Sequence, residues 1–340
     1  MTDFDPNGAA EADSGIFGFN YSEEDSNLVV LPVPWEATCS YRDGCSEAPS
    51  LVIDASKFVE LFDLELGNFY EYGIFGKEID NTLLELSQST AALVRNLIAE
   101  LEGSKPGDNK TIQQINANCS IMRQFVYDQV LKTIGQGKIS GVLGGDHSVA
   151  QGSIEAHLKK YPDMGVLQID AHSDLRDSFE GLAYSHASVM YNVMNQTNLT
   201  QLVQVGVRGY CEEEHNRVIN SEGKIKPFFD TEINRRISMG DPWNAICLEI
   251  VESLPDEIYL SFDIDGLEQS NCPNTGTPVP GGLSYNQALH LLETISKAGK
   301  KIIGFDLVEV SCDEKGAESW DAIMAAHLLY KLCGYSLTSN

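Results

Sequence analysis

The sequence predicts an α/β fold in which helices cover both faces of a mostly parallel sheet. Of its 340 residues, 42% are hydrophobic and 21% are charged, which is typical of a globular protein. From residue 138 onward, short apolar runs alternate with amphipathic stretches across polar or Gly-rich breaks. Strands that alternate with helices form parallel sheets buried on both faces. No linker, repeat or low-complexity tract divides the chain, which favours one domain.

The N-terminal part of the chain predicts an arm, a strand and three helices. Residues 1–25 are acidic and polar, and we expect a flexible arm there, followed by a single domain over residues 26–340. The run "NLVVLPVPW" predicts a strand that ends at its prolines. Helical spacing of apolar residues predicts helices in "APSLVIDASKFVELFD", over 80–102 and over 120–134.

The C-terminal part predicts a regular alternation of strands and helices. Helices are expected near 149–160, after the third strand of this part, at 285–298 and in "SWDAIMAAHLLYKLCGY". The strands are expected in five apolar runs: "KISGVLGG", "GVLQID", "QLVQVGVRG", "EIYLSFDID" and "KIIGFDLVEV".

Charge and composition exclude several classes of partner. Lys and Arg number 23 against 50 Asp and Glu, so the net charge of −27 argues against nucleic acid or an anionic membrane as a partner. No run approaches the roughly 20 apolar residues of a membrane span, and no signal peptide is apparent. The eight cysteines include no C-x-x-C pair, which favours reduced thiols and a cytoplasmic location. A Cys39–Cys45 pairing stays open.

Polar residues follow four of the predicted strands at the point where each strand ends. Each cluster alone is typical of a turn or a helix cap. In an open parallel sheet, however, ligands bind beyond the carboxyl ends of the strands, so all four clusters belong to one edge. They are Asp146 and His147 in "GGDHS", Asp170, His172 and Asp174 in "DAHSD", Asp263 and Asp265 in "SFDIDG", and Asp306 and Glu309 in "FDLVEV".

These clusters contain the ligands of a binuclear metal site. If the strand before "DAHSD" stays extended, its two carboxylates and imidazole project to one side, and such crowding of like charge requires compensation. Oxygen-rich ligands with two imidazoles and no thiolate suit Mn²⁺, with Ni²⁺ or Co²⁺ as alternatives. The candidate ligands for two divalent cations are His147, Asp170, His172, Asp174, Asp263 and Asp265.

Two such cations would make a hydrolase that needs no Ser or Cys nucleophile, because they lower the pKa of a water held between them. His186, in "YSHASVM", could donate or relay a proton near neutral pH. Glu309 could hold a planar cation by two hydrogen bonds. The ordinary alternatives are a loop histidine bonded to the backbone and an outward-facing strand glutamate.

The motifs "GGDHS", "DAHSD", "SFDIDG", "NTGTPVPGG" and "FDLVEV", in this order, resemble those of the ureohydrolase family of arginases and agmatinases. The resemblance covers roughly residues 27–335. It implies a three-layer α/β/α fold with an eight-stranded sheet, a binuclear centre that usually holds manganese, and hydrolysis of a guanidino compound to urea and an amine. It also implies a homotrimer or homohexamer.

The resemblance further implies a role for each candidate residue. His186 would be the proton shuttle, Glu309 would bind the guanidinium, and Asp174 would also orient the nucleophile. Asp170 and Asp263 would bridge the two metals. The remaining ligands would be His147 and Asp174 on one metal and His172 and Asp265 on the other.

Arg176 bears on the choice of guanidino compound. Arginases have an Asn at this position, and "DLRDSFEGLAYSHASVM" is instead similar to agmatinases, which indicates hydrolysis of agmatine to putrescine. An exposed Arg176 would repel the ammonium of agmatine and attract the carboxylate of arginine or a guanidino acid. Alternatively, Arg176 pairs with Asp177, Glu180 or another acid. The family usually has other residues at Glu268, Gln269 and Cys312, which leaves arginine, guanidino acids and guanidine itself open as substrates.

Two other classes of protein remain as alternatives. A deacetylase of the same general fold would use one zinc, although the pair Asp263 and Asp265, together with His147 and Glu309, argues against it. A non-catalytic relative would serve as a binding or regulatory subunit, and the complete ligand set argues against that.

Overall fold

The computed structural model describes residues 5–11, 13–39, 42–103 and 107–340. Within them, eight strands form one sheet, and ten α-helices surround it. The strands are β1 (Leu28–Val33), β2 (Ile74–Gly76), β3 (Ile139–Gly144), β4 (Gly165–Ile169), β5 (Leu202–Val205), β6 (Ile225–Phe228), β7 (Glu257–Asp263) and β8 (Lys301–Val308). The helices are α1 (Ala48–Ser56), α2 (Asn81–Glu102), α3 (Asn109–Gly135), α4 (Ala150–Lys160), α5 (Val189–Gln196), α6 (Glu212–Ile219), α7 (Asp230–Ser238), α8 (Trp243–Glu252), α9 (Tyr285–Lys297) and α10 (Trp320–Ser339).

The sheet has the order β2-β1-β3-β8-β7-β4-β5-β6, and every neighbouring pair is parallel. This confirms the predicted α/β class and the eight-stranded sheet. The four central strands β3, β8, β7 and β4 are those whose ends carry the polar clusters. Their carboxyl ends therefore lie side by side, which positions the clusters together.

Helices pack on both faces of the sheet because its side chains alternate between two apolar layers. Leu167 and Ile169 of β4 belong to a core with α1, α7, α8, α9 and α10. Val166, which precedes Leu167 in the strand, points to the opposite face and packs with α4 and α5. Helices α2 and α3 cover the rest of that second face, against residues such as Val142 and Val308. This arrangement is the three-layer α/β/α architecture.

The predicted helix boundaries agree with the structure for α2 and differ for α1 and α3. Asp80 accepts a hydrogen bond from the Leu83 N–H at 2.9 Å and begins α2 where it was expected. Helix α3 begins at the Asp108 cap, well before the predicted residue 120. The first turns of α3 are mostly polar, so apolar residues at helical spacing do not mark them in the sequence, yet Ile115 in these turns is fully buried. Helix α1 ends earlier than expected, at Ser56.

Strands β2 and β6, which the residue pattern did not reveal, are the two edges of the sheet. Strand β2 has only three residues, and β6 contains Pro227, a residue tolerated in strands mainly at edges. Helices α5, α7 and α8 are also short and were not predicted. Short elements carry too few periodic positions to be recognised from sequence.

Part of the stretch expected to be a flexible arm packs against the domain. Ile16, Phe17 and Phe19 are buried in the core, and the Phe17 N–H donates to Ser56 Oγ at 2.8 Å. The expected looseness is therefore wrong for these residues, while the division between residues 25 and 26 stays a prediction. Residues 1–4 and 12 of the expected arm lie outside the described residues. None of the described helices has the length and apolar character needed to cross a membrane.

Candidate metal centre

The "DAHSD" residues leave the sheet in a loop and do not continue β4. The strand ends at Ile169, and Asp174 has a positive φ of 54°. The Asp174 carbonyl accepts the N–H groups of Met190 and Tyr191 at 3.1 and 3.0 Å, which ties this turn to the start of α5. The condition of an extended strand up to Asp174 is therefore not met, and the turn, not strand alternation, brings the three side chains together.

His147 lies at the centre of a first ligand group with Asp170 and Asp174. His147 Nδ1 is 2.9 Å from Asp174 Oδ2 and 3.1 Å from Asp170 Oδ2. Asp263 Oδ2 also faces this nitrogen, at 3.5 Å. All four side chains are buried. One nitrogen and three carboxylates thus converge on one point.

A second ligand group consists of Asp170, His172 and Asp265. His172 Nδ1 is 2.9 Å from Asp265 Oδ2 and 3.7 Å from Asp170 Oδ1. Asp170 thus directs one carboxylate oxygen to each group. The Ala171 N–H holds Asp265 Oδ1 at 2.9 Å, and the Asp265 N–H holds Asp263 Oδ1 at 2.8 Å, so the backbone fixes the acids in place.

The donor atoms of both groups fit divalent cations. Among the described residues, buried His147 Nδ1 and Asp265 Oδ2 have no hydrogen-bond partner, although charged groups lie within 3 Å of each. Buried polar atoms normally have a partner, since leaving one unsatisfied costs about 1–3 kcal/mol. A cation between the side chains would satisfy both atoms. Two imidazoles and several carboxylates, with no thiolate, suit Mn²⁺.

Crowding of carboxylates shifts their pKa values strongly in the metal-free chain. Burial, with Asp174 and Asp265 nearby, raises the pKa of Asp170 to about 7. Burial and the same kind of repulsion raise the pKa of Asp263 well above its usual range. Burial alone would lower the pKa of His172, but the nearby Asp265 carboxylate outweighs burial and raises that pKa to about 10. The site therefore holds excess protons that bound cations would replace.

Behind the first ligand group, a hydroxyl and a carboxylate hold His147 in place. His147 Nε2 is 2.8 Å from Ser261 Oγ, and Ser261 donates to Asp306 Oδ1 at 3.0 Å. Ser261 and Asp306 are directly paired across β7 and β8, and both are fully buried. Because Ser261 gives its one hydroxyl proton to Asp306, its oxygen accepts from His147, so Nε2 carries a proton and donates it to Ser261. The sequence singled out Asp306 without a role, and it missed Ser261, whose signal was its position two residues before Asp263.

Glu309 lies beside the metal ligands, with its backbone turned out of the sheet. Its φ is 61°, and its N–H donates to the Gly145 carbonyl at 2.9 Å. The His147 N–H donates to Glu309 Oε1 at 2.8 Å, which fixes the carboxylate. Only glycine fits at 145, where a Cβ would lie 1.8 Å from the Trp35 carbonyl oxygen. Burial, then repulsion by Asp146, raises the pKa of Glu309 well above its usual value.

His186 is held by Thr38, a residue that the sequence did not reveal. Thr38 Oγ1 is 3.1 Å from His186 Nδ1 and accepts the His186 N–H at 3.1 Å. The same hydroxyl lies 3.2 Å from the Asp146 carboxylate, a stronger acceptor. Thr38 therefore donates to Asp146, and His186 Nδ1 carries the proton, which leaves Nε2 free to accept one. Burial lowers the pKa of His186, which favours this neutral form.

A cavity of about 310 Å³ opens onto these side chains. Its volume is at the lower end of the range for small-molecule sites, about 300–1,000 Å³. Among the described residues that line it, Arg176 is the one Lys or Arg side chain. Its Nε is 3.8 Å from a Glu214 oxygen, and its guanidinium lies over the Phe179 ring at 5.3 Å. Arg176 thus pairs with an acid other than Asp177 or Glu180, and it still faces the cavity.

Glu214 was not recognised from the sequence because it lies on α6, far along the chain. It is buried, and its carboxylate accepts the N–H groups of Leu175 and Cys211 at 3.0 and 2.8 Å. It therefore joins the "DAHSD" loop to the start of α6. The cavity lies between these two segments and the end of β8.

Comparison with known proteins identifies relatives along nearly the whole chain. Residues 26–334 match the family described as "Arginase family". An N(1)-aminopropylagmatine ureohydrolase from Thermus thermophilus is 32% identical over 312 residues, which cover 92% of this chain and 90% of the relative. An agmatinase from Pyrococcus horikoshii is 28% identical over 319 residues, covering 92% and 93%. The solved proclavaminate amidino hydrolase of Streptomyces clavuligerus has the same fold, with a TM-score of 0.74, 20% identity and coverage of 98% and 100%.

Proposed function

This chain belongs to the arginase family of metal-dependent amidinohydrolases, which hydrolyse guanidino compounds, and on that premise we propose that its substrate is a guanidine with a cationic polyamine tail. Agmatine and N(1)-aminopropylagmatine are the first candidates, and the products would be urea and the corresponding polyamine. Membership of the family decides against the single-zinc deacetylase, and the two ligand groups argue against a non-catalytic relative.

One observation carries the proposal: two ligand groups that share Asp170 meet a fixed carboxylate, Glu309, in one cavity. The family has a binuclear manganese site, and the described chain has matching His and Asp groups. We assign His147, Asp170, Asp174 and Asp263 to one ion. We assign Asp170, His172, Asp263 and Asp265 to the other. When bound, two such cations lower the pKa of water and so supply a nucleophile near neutral pH.

Glu309 would bind and orient the guanidinium. Its carboxylate is anchored by the His147 N–H, so it does not need to reorganise when the planar cation arrives. Burial disfavours the charge of Glu309, and a guanidinium would stabilise that charge by two short hydrogen bonds. Asp174, next to the same cavity, would orient the attacking group.

His186 would move the proton that the leaving amine needs. Thr38 holds its Nδ1 proton, so Nε2 is the atom that exchanges protons within the cavity. Its neutral form at rest allows it to take up a proton and pass it to the departing nitrogen or to solvent.

The charge of the cavity favours a cationic tail. Asp174, Asp263, Glu214 and Glu309 line it, and Arg176 is their one Lys or Arg counterpart among the described lining residues. Arg176 is itself partly neutralised by Glu214. The aromatic rings of Phe179 and Tyr210 would contact the methylene chain and attract an ammonium group. The relatives that act on agmatine derivatives support this choice.

A second substrate class is favoured by Arg176 itself. Its side chain is 38% exposed and reaches Glu214 only at 3.8 Å, so it could bind the carboxylate of a guanidino acid. Replacing Arg176 with Gln separates the two classes. The kcat/KM for agmatine would hold or rise if the tail is cationic. A fall of about tenfold for guanidinobutyrate, with guanidinobutyrate as the better wild-type substrate, would favour the acid.

The test of the proposal is a urea-release screen with Mn²⁺, Ni²⁺ or Co²⁺ supplied. Its substrates are agmatine, N(1)-aminopropylagmatine, arginine, guanidinobutyrate, guanidinopropionate and guanidine. Glu309→Gln should retain metal and lose about 10- to 150-fold in kcat/KM, because a hydrogen bond to a charged group contributes about 1.5–3 kcal/mol. Glu314→Gln, the same change at an exposed position, is the control. Unchanged kinetics for Glu309→Gln would exclude its role, and no urea from any guanidine would exclude the function.

The assembly and location of the protein stay predictions. We propose a homotrimer or homohexamer, testable by light scattering of the metal-loaded protein. A cytoplasmic location accords with the cysteines, which are all free in the described structure.

A further inference from the structure

The segment between β1 and α1 brings two thiols against Glu309. Cys39 Sγ and Cys45 Sγ are 3.6 Å apart, and a Glu309 carboxylate oxygen lies within 4.8 Å of both sulfurs. Cys45 is buried, whereas Cys39 is half-buried and so accessible from solvent. Neither thiol has a part in the proposed reaction.

Hydrogen bonds of neighbouring residues hold the cysteines in place. Thr38, next to the first cysteine, donates its N–H to the Asp146 carboxylate at 3.2 Å. On both sides of the second cysteine, the N–H groups of Gly44 and Ser46 donate to Glu36 Oε2, each at 2.8 Å. The two sulfurs are therefore positioned before any ligand arrives, which lowers the entropic cost of binding one.

The spacing of the sulfurs matches two ligands of one tetrahedral metal ion. With a zinc–sulfur distance of about 2.3 Å, two sulfurs at a tetrahedral angle lie about 3.7–3.8 Å apart. The observed 3.6 Å is close to that value, whereas a disulfide would require about 2.05 Å. Glu309 supplies a third donor on the same side.

We propose that Cys39, Cys45 and Glu309 form a site for one thiophilic divalent cation, such as Zn²⁺ or Cd²⁺, distinct from the binuclear centre. Binding breaks two S–H bonds, forms two metal–sulfur bonds and releases two protons to solvent, with no oxidant or reductant. A water molecule completes the tetrahedron. The ion occupies the carboxylate that the substrate guanidinium needs, so it inhibits the enzyme; this consequence rests on the proposed function.

The chemistry of the two sites keeps their ions apart. The binuclear groups offer oxygen and imidazole nitrogen, which suit Mn²⁺, while thiolates select softer ions. The hydrogen bond to Cys45 would lower the pKa of Cys39, but burial and Glu309 outweigh it and raise that pKa to about 12. A bound cation therefore has to displace both thiol protons, which are released on binding.

The first experiment measures binding without activity. Manganese-saturated protein is titrated with Cd²⁺, and the thiolate-to-cadmium charge-transfer absorption in the ultraviolet is followed. We expect one equivalent of sulfur-bound Cd²⁺ per chain in the wild type and none in the Cys39→Ser/Cys45→Ser double variant. Cys211→Ser is the matched control, because Cys211 is also half-buried and occupies a helix N-cap where serine is favourable.

An absorption of equal size in the double variant would overturn the site. Cys45 is buried, so Cys39→Ser alone and Cys45→Ala provide variants with a smaller perturbation of folding. Each should weaken Cd²⁺ binding by at least about tenfold, the lower end of what even an outer partner of a metal site contributes.

The second experiment measures Zn²⁺ inhibition of urea release at saturating Mn²⁺. Cys39→Ser should raise the inhibition constant by at least about tenfold, and Cys211→Ser should leave it unchanged. Sulfur-bound cadmium without Zn²⁺ inhibition of an active enzyme would overturn the participation of Glu309. Sulfur-bound cadmium in a protein that releases no urea from any guanidine would refute the proposed function and still support the thiol site.

Discussion

Replacement of Ser261 by Ala tests whether the support behind His147 tunes the metal centre. The Ser261 hydroxyl joins His147 Nε2, at 2.8 Å, to Asp306 Oδ1, at 3.0 Å, and all three side chains are fully buried. Removing it deletes no proposed metal ligand. It leaves an imidazole N–H without its acceptor and a carboxylate oxygen without its hydroxyl donor.

The size of the effect follows from these two lost hydrogen bonds. A buried group left unsatisfied costs about 1–3 kcal/mol, and about 1.4 kcal/mol corresponds to a factor of ten in affinity. The Phe262 N–H, 3.3 Å from Asp306 Oδ1, still supports the carboxylate, so the imidazole accounts for most of the loss. We therefore expect Mn²⁺ affinity to fall about 10- to 100-fold, which is also typical of lost outer-shell partners.

The assay is competition of the protein with a metal-binding dye for Mn²⁺. Ser140→Ala provides the matched control, because Ser140 is also a fully buried strand serine, but its hydroxyl has no hydrogen-bond partner within the described residues. Its affinity for Mn²⁺ should match the wild type. Equal affinities in Ser261→Ala and Ser140→Ala would refute the assigned orientation of His147.

Three further predictions concern the ligands and the proton path. Asp263→Ala should lose bound metal and activity together, because it removes a carboxylate that faces the first ligand group. If elemental analysis found two metals per chain and turnover were normal, the assignment of Asp263 would be contradicted. The affinity for Mn²⁺ should rise from about pH 6 to about pH 8, and calorimetry should show that binding releases protons. Without metal, Asp170 keeps its proton up to about pH 7 and His172 keeps its proton up to about pH 10, so a bound metal has to displace these protons. An affinity independent of pH would exclude these ligands. Thr38→Val should lower kcat about tenfold without changing metal content, because His186 loses the partner that fixes its tautomer, whereas an unchanged kcat would separate Thr38 from the proton path.

Strand ends were the most informative part of the sequence. An apolar run followed by paired aspartates is a local signal, and the rule that ligands bind beyond the carboxyl ends of parallel strands placed the four clusters together. The structure confirms that the four clusters lie at one edge of the sheet, because β3, β8, β7 and β4 are neighbours. The condition of an extended strand up to Asp174 is not met, because a turn with positive φ lies there. A single backbone angle of this kind depends on the contacts of α5, which local pattern does not include.

The sequence by itself therefore determined the fold class and the types of ligand available to a metal, since apolar periodicity and the chemistry of side chains are local properties. Only the tertiary structure decided which groups complete the site: Thr38 on His186, Ser261 behind His147, Glu214 beside Arg176, and the two thiols beside Glu309. These partners lie far apart in the chain. Their contacts arise from strand order and loop packing, which depend on the free energy of the whole fold. No periodic pattern in the sequence predicts such contacts.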